Sequence, residues 1–138
     1  MSDPRIKYGV DSAAERQGAP VVIDDMEFLL RSSLDVNRGY RYALALAYDR
    51  RRADFEKGGI EAFEAQVDIT MEAFADRVIL GWRNVTNGHG ELEFNRENCI
   101  RLMQDCPKIW EQLQLAALDE SRFKPAPARE DGEQLGKS

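Results

Sequence analysis

The sequence predicts a mainly α domain of about four helices: a helical hairpin, then two shorter C-terminal helices, with a small β-hairpin near the N-terminus. Three observations carry this. Ile60, Phe63, Val67, Met71, Phe74 and Val78 step by three or four residues, the single stripe of a 3.6-residue helix. Lys57-Gly58-Gly59 separates that stripe from an earlier helical pattern, and a link so short makes the two helices antiparallel neighbours. Asn37, Asn95 and Pro107 stand where helix-starting residues belong.

Residues 1–18 are polar, contain Pro4, Gly9 and Gly18, and show no periodicity, so they read as a flexible N-terminal arm. Val21–Ile23 and Phe28–Leu30 are short apolar runs on either side of Asp24-Asp25, a strand–turn–strand pattern. A lone hairpin is marginal and needs helices to pack on. Asn37 can accept an orphan backbone N–H and start a helix over 38–57. On it Tyr40, Leu44, Ala47, Tyr48 and Phe55 form one side, and Tyr42 and Leu46 a second. A helix apolar on two sides is sandwiched in a core or used for association.

The long helix that follows carries a second stripe: Glu61, Glu64, Asp68, Glu72 and Asp76. Each i,i+4 pair of like charges costs roughly 0.2–0.5 kcal/mol, so something should compensate. In an antiparallel hairpin Arg50, Arg51 and Arg52 come near Glu61 and Glu64, and Arg41 or Arg38 near Asp76. The stripe is then a solvated face with salt bridges across the hairpin, or an acidic track for a basic partner. Gly81 is read as the end of this helix. Asn95 caps the next, which contributes Ile100 and Met103. Pro107 opens the last, with Ile109, Trp110, Leu113, Ala116 and Ala117 on one side. Residues 124–138 are rich in proline and charge and read as a disordered tail, leaving 19–123 as the single helical domain.

Composition limits the function. With 138 residues the chain has the length of one domain. A net charge of −6 repels phosphate backbones, which speaks against nucleic-acid binding. No apolar run is long enough to span a membrane, and no leader-like apolar segment follows the first basic residues. The two cysteines read as reduced thiols in a cytoplasm.

Catalytic and metal chemistry find little support. His89 is the one histidine, and with Cys99 and Cys106 it makes three candidate zinc ligands without any CxxC or HxxxH spacing. Cys99 reads instead as a small core hydrophobe. The calcium-loop pattern fails from Asn84 onward, and neither Gly88-His89-Gly90 nor the terminal Gly-Lys-Ser makes a phosphate loop. "NGHG" reads as a turn with His89 at its tip. Trp82, Val85, Leu92 and Phe94 read as a small apolar cluster that sets the angle between the hairpin and the last two helices. No catalytic residue, metal site or cofactor is expected. A small metal-dependent enzyme or regulator is the reading these observations weigh against.

Gly81-Trp82, Val85, Gly90, Leu92, Phe94, Glu97-Asn98, Leu102, Pro107 and Phe123 follow one another in an order and spacing that resembles the C-terminal half of tail assembly chaperones of long-tailed bacteriophages. Upstream, "FLLRSSLDVNRGYRYAL" is similar to that family's strand leading into an Asn-x-x-Tyr helix start, here Asn37 and Tyr40. Arg38 stands where the family often has proline. The resemblance spans residues 20 to 123. It implies a non-enzymatic protein that binds the tape measure protein, keeps it soluble and promotes polymerisation of the tail tube around it. It also implies residence in the host cell cytoplasm and absence from the mature virion. A longer form, made by ribosomal frameshift near the end of the gene, would engage the major tail tube protein, and Gly136-Lys137-Ser138 is compatible with slippery codons.

The physics agrees with such a role, since a holding chaperone needs exposed apolar surface beside solubilising charge. Tyr42, Leu46 and Phe55, with Glu61, Glu64, Asp68, Glu72 and Asp76, are the expected partner contacts. Homo-oligomers are expected too, because a small domain cannot cover two apolar sides of one helix. The alternative is a structural virion protein of the head–tail or tail-completion type.

Overall fold

A computed structural model describes residues 2–123. Two short helices, α1 (Pro4–Tyr8) and α2 (Ser12–Gln17), precede strands β1 (Ala19–Ile23) and β2 (Met26–Leu30). Helices α3 (Arg38–Arg50), α4 (Arg52–Lys57) and α5 (Gly59–Arg77) follow. Then come strand β3 (Ile79–Arg83), helices α6 (Arg96–Asp105) and α7 (Pro107–Ala117), and a 3-10 turn at Glu120–Phe123.

The expected mainly α, four-helix architecture is therefore corrected to a helix-dominated α/β fold built on a three-stranded antiparallel sheet of order β1-β2-β3. The difference lies at Val78–Arg83. Val78 continues the apolar stripe of α5, so periodicity alone carries the helix to Gly81. The chain instead leaves the helix at Val78 and pairs Ile79–Arg83 with β2. β2 would otherwise present an open row of backbone groups, and Ile79 and Trp82 suit a pleated, half-buried surface. Phe28, fully buried, sits opposite Trp82, with rings edge-on at 6.2 Å.

The β1–β2 hairpin turns at Asp24-Asp25, with Asp24 in the left-handed region at φ 53°, which aspartate tolerates better than most residues. Pro20 has no N–H to offer a neighbouring strand, and its carbonyl accepts from Arg122 Nη1 at 3.4 Å. The inward residues Val21, Ile23, Phe28, Leu30 and Ile79 meet Tyr40, Phe74, Met103 and Leu113 in one core. Phe74 is its hub, edge-on to both Tyr40 and Trp110 at 5.5 and 4.8 Å. Fully burying one such ring contributes about 1.5–3 kcal/mol.

Two further segments differ from the sequence reading. Residues 2–18, expected as a flexible arm, carry α1 and α2, each opened by an aspartate cap, Asp3 and Asp11. Glu15 of α2 is buried, grips the Arg31 guanidinium at 2.8 and 3.0 Å and accepts the Ser32 N–H. The helix expected over 38–57 breaks at Arg51 (φ −106°, ψ 17°), and the stacked rings of Tyr48 and Phe55, 4.3 Å apart, bridge the break. The expected disordered tail, 124–138, lies outside the described residues.

Candidate functional site

The α3–α5 hairpin reaches beyond the core, and it holds every contact residue expected from the sequence. Its turn uses Gly58 and Gly59, both at positive φ (68° and 58°), where a side chain would be strained. The α5 stripe divides in two. Met71, Phe74 and Val78 are buried, Val67 is half-buried, and Phe63 and Ile60 are 65% and 62% exposed. The sheet, α6 and α7 cover only the C-terminal half of that stripe; nothing among the described residues covers its start.

On α3, Tyr40 and Ala47 are buried, whereas Tyr42 is 64% and Leu46 41% exposed. Those two lie one turn apart on the second apolar side. Phe55 is half-buried beneath the exposed Tyr48 ring. Between α3 and α5 runs a groove of about 490 Å³ lined by Arg41, Leu44, Ala45, Tyr48 and Asp49 from α3 and by Gln66 and Ile69 from α5.

The acidic stripe is compensated over part of its length, and by other partners than expected. Arg51 reaches Asp68 at 3.4 Å and Asp54 at 2.8 Å. Asp76 and Glu72 pair with Arg96 of α6 at 2.7 and 3.4 Å, not with Arg38 or Arg41; Arg41 pairs with Asp35. The hydrogen bond from Arg51 holds the Asp54 carboxyl below its usual range, and the bond to Asp76 raises the Arg96 guanidinium above its own. Exposed pairs of this kind contribute little to stability, because solvent and salt screen them. Among the described residues Glu61 and Glu64 have no ion-pair partner, although the α5 dipole favours Glu61 in its first turn.

The three candidate zinc ligands, His89, Cys99 and Cys106, are not grouped into a metal site among the described residues. Asn87 Oδ1 accepts the His89 and Gly90 N–H groups, so "NGHG" is a tight turn with an exposed His89 at its tip. Gly88 takes positive φ there and Gly90 does not. Cys99 is buried in the core, which pushes its thiol up to about 12, and Cys106 is half-buried at a helix end. No group of three His, Cys, Asp or Glu side chains is placed to hold a metal ion among the described residues. Trp82, Val85, Leu92 and Phe94 do cluster. The Trp82 indole donates to the Leu92 carbonyl at 2.8 Å and its ring stands edge-on to Phe94 at 5.1 Å.

Sequence reasoning gave Ile60 and Phe63 as part of one apolar stripe and did not name them among the contact residues. Their helical spacing is that of the buried residues further along. The available signal was their position beside the glycine link, where the preceding helix is too short to cover them.

No curated protein and no solved structure matches this chain. Residues 36–134 match the model of a family described as YdaY prophage protein. The match takes in the whole α3–α5 hairpin, β3, the turn, α6 and α7, well over half of the chain, and the protein thus belongs to the phage-derived YdaY prophage protein family.

Proposed function

We propose that this protein is a phage tail assembly chaperone that binds the tape measure protein, keeps it soluble and promotes polymerisation of the tail tube around it. The observation that carries the reading is the α3–α5 hairpin. Within the family-matched region it leaves Tyr42, Leu46, Ile60 and Phe63 open to solvent. Tyr42 and Leu46 lie one turn apart on α3, and Ile60 and Phe63 one turn apart on α5; apolar side chains grouped in this way are what an interaction surface presents. Charged residues interleaved with them keep the unloaded protein soluble. The expected contacts Phe55, Glu61, Glu64, Asp68, Glu72 and Asp76 lie on the same hairpin. In this reading the protein works in the host cell cytoplasm and leaves before the virion matures, and a frameshifted longer form brings in the major tail tube protein. Binding and release of a polypeptide suffice, with no chemical step and no cofactor.

Co-expression with the tape measure protein of the same prophage tests the reading. Leu46→Asp and Phe63→Asp should each lower the soluble fraction of that protein several-fold with the helical circular dichroism of the variant unchanged. Unaltered solubility with both variants overturns the reading. So does finding the protein in purified particles by mass spectrometry, which would make it a structural virion component.

A further inference from the structure

The open start of the α5 stripe has a chemistry that selects its occupant. Ile60, Phe63 and Val67 fall on one side of α5, at i, i+3 and i+7. Glu64 lies one turn from Ile60, and Glu61 three residues before Glu64, so the two carboxylates line one border of the apolar strip. The other border carries the neutral Gln66 and Thr70, hydrogen-bonded to one another. The nearby cations are engaged elsewhere: Arg51 by Asp54 and Asp68, and Lys57 by Asp54. Further along the same acidic stripe Asp68, Glu72 and Asp76 all have arginine partners. Of the five carboxylates in this stripe, the two without an ion-pair partner among the described residues are therefore the two beside the uncovered apolar surface.

Resting on the chaperone reading, we propose that this face of α5 docks an amphipathic helical segment of the client whose apolar stripe is bordered by lysine or arginine. The apolar side chains of such a segment continue the packing that Met71, Phe74 and Val78 make inside the core, and its cations answer Glu61 and Glu64. A laid-in amphipathic helix reads an apolar strip through anchors at i, i+3 or i+4 and i+7, the spacing present here. A second copy is the poorer occupant. Each copy carries a net charge of −6, and two α5 starts laid together would oppose four carboxylates with no added cation, a like-charge juxtaposition that disfavours pairing.

The test uses the full-length protein and two synthetic fluorescent helical peptides with identical apolar stripes, one bordered by lysine and the other by glutamate, followed by anisotropy. The lysine peptide should bind at least about tenfold more tightly at low salt, and added salt should shrink the difference. Glu61→Gln with Glu64→Gln should remove most of the preference, and Phe63→Ser should weaken both peptides. Equal binding of the two peptides, or a preference that survives the double glutamine variant, overturns the proposal. So does a concentration-dependent dimer that Phe63→Ser abolishes, which would assign the face to a second copy. If charge preference is absent but Phe63→Asp still costs tape measure solubility, only the basic-border inference fails. If the preference holds and solubility is untouched, the chaperone reading fails.

Discussion

Asn37 shows how much one polar side chain can join. It is fully buried, and its Oδ1 accepts the Tyr40 N–H at the start of α3 while its Nδ2 donates to the carbonyls of Ser32 and Arg77. One amide thus ties the entry to α3, the loop before it and the end of α5. A cap contributes about 1 kcal/mol, and a buried carbonyl left without its donor costs about 1–3 kcal/mol, a cost that falls on Ser32 because the Arg77 contact is only part-buried. Asn37→Ala should therefore lower stability by about 2–4 kcal/mol in urea unfolding, with the m-value unchanged; a loss below about 1 kcal/mol would mean that water replaces the amide at both carbonyls. The capping role was legible in the sequence, because an asparagine before an apolar-periodic run has few other reasons to be there. The two carbonyl contacts were not, since Arg77 is distant in sequence and comes within reach only when α3 and α5 lie antiparallel. Burial of Glu15 was invisible for a related reason. A carboxylate is buried when its partner is bidentate and a backbone N–H completes the set, and Arg31 and Ser32 belong to the far end of the β-hairpin.

At the scale of elements, local chemistry was readable and tertiary choices were not. The β-hairpin, the caps at Asn37 and Asn95, the proline start of α7 and the "NGHG" turn each depend on a few neighbouring residues. β3 and the burial gradient along α5 depend on what stands opposite them. Val78-Ile79-Leu80 suits either a helix or a strand, and the unpaired edge of β2 decides. Ile60 and Phe63 have the spacing of core residues but lie beyond the reach of α6 and α7. The N-terminal segment 2–18 is the element whose attachment is most localised. It is held by the Glu15–Arg31 pair and by the Asp11 N–H donating to the Phe123 carbonyl. Breaking a buried ion pair costs about 3–5 kcal/mol, and less where one partner meets solvent, as Arg31 does at 22% exposure. Glu15→Gln should speed hydrogen exchange at the Gly18 amide more than tenfold and leave the α5 amides unchanged. Equal acceleration in both would show that α2 unfolds only with the core.

For the whole molecule, the sheet, α6, α7, the start of α3 and the C-terminal half of α5 share one core, and the start of α5 lies beyond it. The apolar surface is spread over more than one side: Tyr42 and Leu46 on α3, Ile60 and Phe63 on α5, and Leu115 and Leu118 near the chain's last described turn. With several open apolar faces on one small domain we propose self-association; light scattering that gives the monomer mass at every concentration would contradict this. The margin of the sheet imposes a different limit. At β1 the one backbone position without a hydrogen and the carbonyl beside it are both withdrawn from use, the first by the ring of Pro20 and the second by Arg122. An unfolded chain arriving there cannot bond to that position. At that point the rim is a poorer template for fibrous stacking, one of the usual ways in which a sheet margin is blunted.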